Sequence, residues 1–397
     1  MSLSSLVHIP LRVASTACRR TCQTTMTLLR LPSCLLVCTA TLLLGCEARP
    51  DGTASSDPVK TVILSAADGY PCSIRFEPTG VVLQSDSAGS VPDPGAQISR
   101  GPDGRFVTSD PHGGSVHAWS ADGVFLRTIG RRGRGPGELG SGAYPIVDDR
   151  GFVHVIDLSQ GRWNRYTPDG TFISSGTSPF FGRASTGESE IIGIDSLLTA
   201  SPPPAAENQF HILDGDGHVV RAFGELPAGP GSRTRAIAIT SNRTFWAAPR
   251  QHTPEYVLEE WTFDGTLVRR LERQVPWFTA ITKRKLPDSE EGPTPLPVNI
   301  RLSAGPAGRL IVTIFSNGIS EPLNRWYEVI DPSIPAVLAS THRPPSDESL
   351  PVFDVAPGSA LGWRKMVAES GLEKLEIVRY RLDPSNDSGA AGAQCSG

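Results

Sequence analysis

Arginine and glycine alternate in Gly130-Arg-Arg-Gly-Arg-Gly-Pro-Gly-Glu-Leu139, the stretch of this chain whose residue types come closest to a ligand site. Glycines at this density suggest a phosphate cradle, which needs a strand before the loop and a helix N-terminus after it to aim amides at the anion. Pro136 and the return to a β pattern at Tyr144–Val147 argue against the helix. What is left is a connection whose glycines take positive φ and whose Glu138 caps neighbouring amides. The competing reading is a binding surface on which Arg131, Arg132 and Arg134, with Glu138, gather anionic groups. A second candidate is the long excursion from Pro276 to Asn299, where Trp277-Phe278 precede Lys283-Arg-Lys285 and Asp288-Ser-Glu-Glu291. Such a loop could lie over one face as a lid presenting Trp277 and Phe278, or tuck its aromatics against the body. Arg284–Glu291 is the best short helical stretch.

Other chemistries find little support. Histidines 112, 117, 154, 211, 218, 252 and 342 show no paired metal spacing. His154 alternates with Val153 and Val155 as a packed or hydrogen-bonded strand residue does. There is no Gly-x-Ser-x-Gly elbow, which disfavours a nucleophilic hydrolase. The formal charge of −4, from 37 Lys+Arg against 41 Asp+Glu, points to no nucleic-acid partner.

The elements that must carry these residues repeat. Asp-Gly pairs stand at 122, 169, 216 and 264, steps of 47, 47 and 48, each between apolar runs. Asp-Gly between β-rich runs is a strong hairpin signal. Gly104-Arg-Phe-Val, the first strand of its unit, returns as Gly151-Phe-Val-His-Val-Ile-Asp157 at the same step. Gly308–Phe315 with Trp326–Asp331 makes a fifth unit, and Ala360–Trp363 with Leu375–Leu382 a sixth. A period near 47 built of short strands means propeller blades, each a four-stranded sheet that buries its faces only against its neighbours. The expectation is an all-β fold, a six-bladed β-propeller of four-stranded antiparallel blades, with five or seven blades the nearest alternatives. Ile74–Phe76 or Val81–Leu83 is expected to pair near Leu375–Leu382 and close the ring, removing an exposed edge.

The N-terminus reads as an export signal. Leu31–Leu44 is an apolar run after Arg30 that ends in Leu43-Leu-Gly-Cys46, too short to span a bilayer comfortably. The ending has the form of a bacterial lipobox, in which Cys46 would be lipidated; an ordinary signal peptide cut near a chance cysteine is the alternative. Residues 1–25 make a long leading region, so Met26 competes with Met1 as the start. The resulting division is signal 1–45, flexible tether 46–58, propeller 59–384 and small polar tail 385–397. Of seven cysteines only Cys72 and Cys395 would remain after export and anchoring. They could pair across the two chain ends, or Cys395 could stay unpaired in the tail.

A strand, an Asp-Gly hairpin, a Gly-terminated strand and then Gly133-Arg-Gly-Pro-Gly-Glu-Leu139 together resemble the bacterial six-bladed β-propeller lipoproteins related to NHL-repeat proteins, over about Cys72–Pro384. Only the first unit carries the full Gly-Pro-Gly-Glu loop. The resemblance implies a monomer in the cell envelope, lipid-anchored and periplasmic or surface-exposed. NHL-type lyases place metal-bound histidines in a central channel, a set this chain does not match. Gluconolactonase-like propellers hold Ca²⁺ with hard oxygen ligands, for which Asp110, Asp157 and Asp195 are the weak candidates here; acids at strand ends more often satisfy turn amides. The functional expectation is a binding scaffold for a protein, peptide or glycan, without cofactor. The alternative is a lactone hydrolase or lyase with a Ca²⁺-type site in the channel.

Overall fold

The computed structural model describes residues 59–64, 72–84, 97–110, 114–177, 180, 189–193, 195–203, 205–226, 233–241, 243–250, 255–278, 298–316, 324–343, 349–356, 359–367 and 373–385. The chain divides into two units, Met1–Ser55 and Ser56–Gly397, and all of these residues belong to the second. The signal, Cys46, the tether, the Arg284–Glu291 stretch, Cys395 and the tail lie outside the described residues.

Two strands precede the repeats, β1 (Lys60–Ile63) and β2 (Ser73–Gln84). Blade 1 is β3 (Ile98–Arg100), β4 (Phe106–Asp110), β5 (Ser115–Trp119) and β6 (Phe125–Ile129). The short pair β7 (Arg131–Arg132) and β8 (Glu138–Leu139) follows. Blade 2 is β9 (Ala143–Val147), β10 (Val153–Asp157), β11 (Arg162–Tyr166) and β12 (Phe172–Thr177). Blade 3 is β13 (Ser189–Ile192), β14 (Ser196–Thr199), β15 (Asn208–Leu213) and β16 (Val219–Glu225), and blade 4 is β17 (Arg235–Ile239), β18 (Thr244–Pro249), β19 (Tyr256–Thr262) and β20 (Leu267–Arg273). Blade 5 is β21 (Val298–Ala304), β22 (Leu310–Ser316), β23 (Asn324–Asp331) and β24 (Ala336–Arg343). Blade 6 takes β25 (Ser349–Ala356), β26 (Ser359–Val367) and β27 (Glu373–Ser385) from the C-terminal end and β2 from the other.

The result is the expected six-bladed propeller. First strands of neighbouring blades lie against one another, β3 on β9, β13 on β17 and β17 on β21, with β25 meeting both β21 and β3. Each gap between blades is filled by its own apolar cluster, for example Val107, Val116 and Ile129 against Val153, Val155 and Tyr166 between blades 1 and 2. The gap between blades 6 and 1 holds Val82, Leu361 and Ile377 against Phe106 and Trp119. A blade exposes two apolar faces, so closure buries what no blade alone could bury.

Two expectations about elements are refined. Phe106–Asp110 and Val153–Asp157, read as first strands, are second strands; the true first strands are β3 and β9. Ile98-Ser-Arg100 is only three residues long, and the axis-lining position demands no alternating pattern. Ile74–Phe76 and Val81–Leu83 are parts of one strand, irregular in register between Pro78 and Gly80 and between Val81 and Leu83, that pairs antiparallel with β27 from Ile74↔Pro384 to Gln84↔Glu376. Unforeseen was β1, which runs parallel to β20 (Lys60↔Arg269 to Ile63↔Glu272) and covers the outer edge of blade 4.

The Asp-Gly hairpins owe their recurrence to packing as well as to turning. Their glycines have φ between 83° and 98°, a region that side chains disfavour. At Gly123 a Cβ would lie 1.6 Å from the Val82 carbonyl oxygen of β2, so the hairpin is pressed against the neighbouring blade. Arginines of preceding blades clasp these turns: Arg127 donates to the Asp169 carbonyl, Arg221 to the Asp264 carbonyl at 3.1 Å, and Arg379 to the Ala121 carbonyl. Arg269 does the same to Pro332, at 2.6 Å, in the turn of blade 5.

Candidate functional site

Strands alternate in direction within each blade, so the ends of second strands and the connections between blades share one face of the ring. The Asp-Gly hairpins and the turns between first and second strands share the other. The connection from β6 to β9, which contains the arginine-glycine loop, therefore lies on the same face as Asp110 and Asp157. Asp195, in the turn between β13 and β14, lies on the opposite face and accepts a hydrogen bond from Arg165. The three acids proposed for Ca²⁺ do not form one set.

Asp157 is fully buried and already employed. One of its oxygens accepts from the Gly140 amide at 2.6 Å, the other from the Ser159 hydroxyl at 2.7 Å and the Gln160 amide at 3.1 Å. This is a strand-end acid satisfying loop amides. Asp110 stands beside His117, raising its pKa against the larger lowering effect of burial.

The loop itself is braced from several sides. Within it β7 and β8 pair in parallel, Arg131 opposite Glu138. Gly130 and Gly137 both have φ of 70°, the positive values expected of this stretch, and a Cβ at Gly130 would meet Leu139 Cδ1 at 2.7 Å. Glu138 accepts the Gly135 amide at 2.7 Å and Arg131 at 2.8 and 3.0 Å. The hydrogen bond from the Gly135 amide first, and that from Arg131 second, hold its carboxyl below the usual range. Gln160 Nε2 donates to the Gly133 carbonyl at 2.6 Å, Arg162 to the Arg134 and Gly135 carbonyls at 2.8 and 3.2 Å, and the Tyr166 hydroxyl to the Gly137 carbonyl at 3.1 Å. Glu138 is thus a brace, and Arg131 is its partner. Arg132 and Arg134 are exposed and line a depression of about 320 Å³ with Gly140, Ser141, Ser159 and Gln160. Of this group Ser141, Ser159 and Gln160 were missed from the sequence.

Phe278 is packed into the body, and Trp277 is half-buried beside it. Phe278 is 3% exposed, packed 5.4 Å from the Tyr256 ring, and Trp277 stacks on Trp326 at 4.8 Å with the rings 2° from parallel. They cap the apolar gap between blades 4 and 5, where covering that gap outweighs exposure to a ligand. The rest of the excursion, 279–297, lies outside the described residues. His154 is also structural: its Nδ1 accepts from Trp163 Nε1 at 3.2 Å, so Nε2 carries the proton and faces Asp148 Oδ2 at 3.4 Å.

Two further groups have metal or proton chemistry. Asp214, Asp216 and His218 bring ligand atoms within 4.8 Å of one another on the blade 3 hairpin, at the face opposite the loop. Asp214 Oδ1 is already held by the Asp216 and His218 amides at 3.0 and 2.9 Å. Glu190 in β13 is half-buried by its accessible surface, though closely surrounded, and that desolvation pushes its pKa up to about 7. An acid raised in the folded state stays protonated while the unfolded chain ionises. Stability is therefore greatest below the unfolded value and falls between about pH 4.5 and 7, by at most about 1.4 kcal/mol per pH unit. Urea melts across pH 4–8 should show this fall in the native protein and a shallower one in Glu190→Gln; equal slopes would dismiss Glu190 as its source.

Among the described residues no helix is long and apolar enough to cross a membrane. Cys72 is disulfide-bonded.

No protein-family model matches the chain, and no curated protein matches its sequence. Solved structures do resemble it. An exported protein from Bacteroides fragilis superposes with a TM-score of 0.52 at 13% identity, over 81% of this chain and 100% of its own. A member of the DUF4221 family from Bacteroides vulgatus gives 0.49 at 10% identity, over 79% and 99%. A gluconolactonase from Xanthomonas campestris gives 0.37 at 13%, over 77% and 89%. At these identities the likeness extends to the fold alone.

Proposed function

We propose that this chain is a lipid-anchored, non-catalytic binding scaffold of the bacterial cell envelope, a relative of the NHL-repeat-like propeller lipoproteins, with its recognition surface on the face of the Gly130–Ser141 loop. The observation that carries the reading is the depression beside that loop. Its backbone is immobilised by Glu138, Asp157, Gln160, Arg162 and Tyr166, while two arginine side chains are left exposed at its wall. A site fixed before binding loses less entropy when the ligand arrives. The weak calcium candidates divide between the two faces, Asp195 apart from Asp110 and Asp157, which supports the scaffold over the hydrolase or lyase alternative. Leu43-Leu-Gly-Cys46 supports the anchor, and the shared fold of an exported Bacteroides protein supports the location.

One fractionation experiment tests both parts. Native protein should sediment with membranes and carry bound envelope material, assayed as sugar and protein. Cys46→Ser should move to the soluble fraction with that material still attached. Arg132→Ala/Arg134→Ala should stay with the membranes and lose it. An unmoved Cys46→Ser variant would sink the anchor; material retained by the double arginine variant would sink the binding face.

A further inference from the structure

Exposed arginines ordinarily serve only as solvated charge. Arg132 and Arg134 differ from that background in three respects. The loop that carries them is tied down at Gly133, Arg134, Gly135, Gly137 and Gly140 by side chains from blade 2 and by Glu138. Two acids beside the loop are already in use, Glu138 on Arg131 and the Gly135 amide, and Asp157 on the amides of Gly140 and Gln160 and the hydroxyl of Ser159. Neither arginine has a carboxylate partner among the described residues. The wall between them is polar: Ser141, Ser159 and Gln160 line it, and its one apolar side chain, Leu139, is fully buried.

Those features constrain the ligand. Two unneutralised guanidinium groups favour an anion with paired oxygens, which arginine engages bidentately. Among the described residues the lining has no exposed aromatic or aliphatic side chain, which disfavours an acidic peptide, since protein and peptide contacts depend on apolar anchors seated in pockets. Hydroxyl and amide groups beside the arginines suit a ligand rich in hydroxyls. Ser159 Oγ, whose proton goes to Asp157, offers an acceptor.

We propose that the depression beside the Gly130–Ser141 loop binds the carboxylate of an acidic saccharide, with Arg132 and Arg134 on the carboxylate and Ser141, Ser159 and Gln160 on neighbouring hydroxyls. This rests on the scaffold reading and supplies its ligand class.

The test is calorimetric titration of the full chain in detergent with tetragalacturonate, with its methyl ester, and with tetraglutamate. The expected result is saturable uronate binding that the ester lacks and tetraglutamate does not match. Arg132→Ala and Arg134→Ala should each weaken it by about tenfold or more, and Arg134→Lys should recover only part, as loss of a bidentate charged contact implies. All three variants should melt as the native protein does, because the two side chains are exposed. No uronate binding, equal binding of tetraglutamate, or arginine variants that bind normally would each overturn the inference. If uronate fails while membrane-borne material still depends on Arg132 and Arg134, the saccharide assignment falls alone. If that dependence is also missing, the scaffold reading falls with it.

Discussion

A chain lacking Ser73–Gln84 should show no cooperative melt. The strand is the outer member of blade 6, paired along β27 from Ile74 to Gln84, and its side chains enter two gaps between blades. Ile74 joins Tyr327, Val378 and Tyr380, while Val82 joins Phe106, Trp119 and Ile377. Phe76 lies 4.7 Å from the Tyr327 ring and 6.3 Å from that of Tyr380. Burial of three such side chains contributes roughly 1.5–3 kcal/mol each. The deletion also leaves β27 an unpaired edge and opens the contacts of blades 5 and 1 with blade 6. Set against a typical total of about 5–15 kcal/mol, that loss leaves no folded ring at 25 °C. A variant with residues 73–84 joined after Ser385 through a short glycine-rich turn should melt cooperatively again, because the strand is needed as a partner of β27 and not as an N-terminus. Calorimetric scans of the two proteins decide the matter, and a deletion variant melting near the native temperature would show that the ring closes otherwise. The disulfide at Cys72 adds a covalent tie immediately before this strand.

Glu328→Ala should be the most damaging point substitution among the residues described. Glu328 lies in β23 of blade 5, its side chain wholly buried, with Arg273 of blade 4 at 3.2 Å and 1% exposed. The Tyr256 hydroxyl, also from blade 4, donates to its second oxygen at 2.8 Å. Two charges have been taken out of water between two blades, and each offsets part of the other's desolvation. Removing the carboxylate leaves the buried guanidinium without this counter-charge, at a cost of about 3–5 kcal/mol. Tyr256→Phe, which removes one hydrogen bond, should cost about 1–2 kcal/mol. Replacing both charges, Arg273→Met/Glu328→Leu, should restore most of the loss. Urea unfolding of the four proteins measures these differences; a Glu328→Ala variant within about 1 kcal/mol of native would mean that water already reaches the pair.

The loop residues show how far a local pattern carries a functional reading. Glu138 stands three residues after Gly135 in a turn, so its capping of that amide could be anticipated from the chain alone. How the loop around Arg132 and Arg134 is held could not, since that depends on Asp157 and Gln160 of the next blade, which take up the Gly140 amide and the Gly133 carbonyl. Trp277 and Phe278 illustrate the reverse. In the sequence they head a polar excursion and look presented, but the gap between blades 4 and 5 needed covering, and Tyr256 and Trp326 were there to receive them. A periodic signal for the clasps was present and unread: Arg127, Arg221 and Arg269 each stand five residues after the aspartate of an Asp-Gly pair. Only the position of the adjacent blade gives that spacing a meaning.

By itself the sequence determined the repeat, the strand-turn rhythm and the number of blades, because turn chemistry and alternating apolar residues act over a few positions and are written locally. The strand supplied by the N-terminal end to close the ring was legible for a related reason, since an incomplete last unit requires an outside partner. The tertiary structure alone decided which acids share a face, which arginine is spent on a carboxylate, and where β1 pairs. Those outcomes depend on groups separated by a whole blade or more, brought together only when six sheets that cannot bury their faces singly stack into a ring.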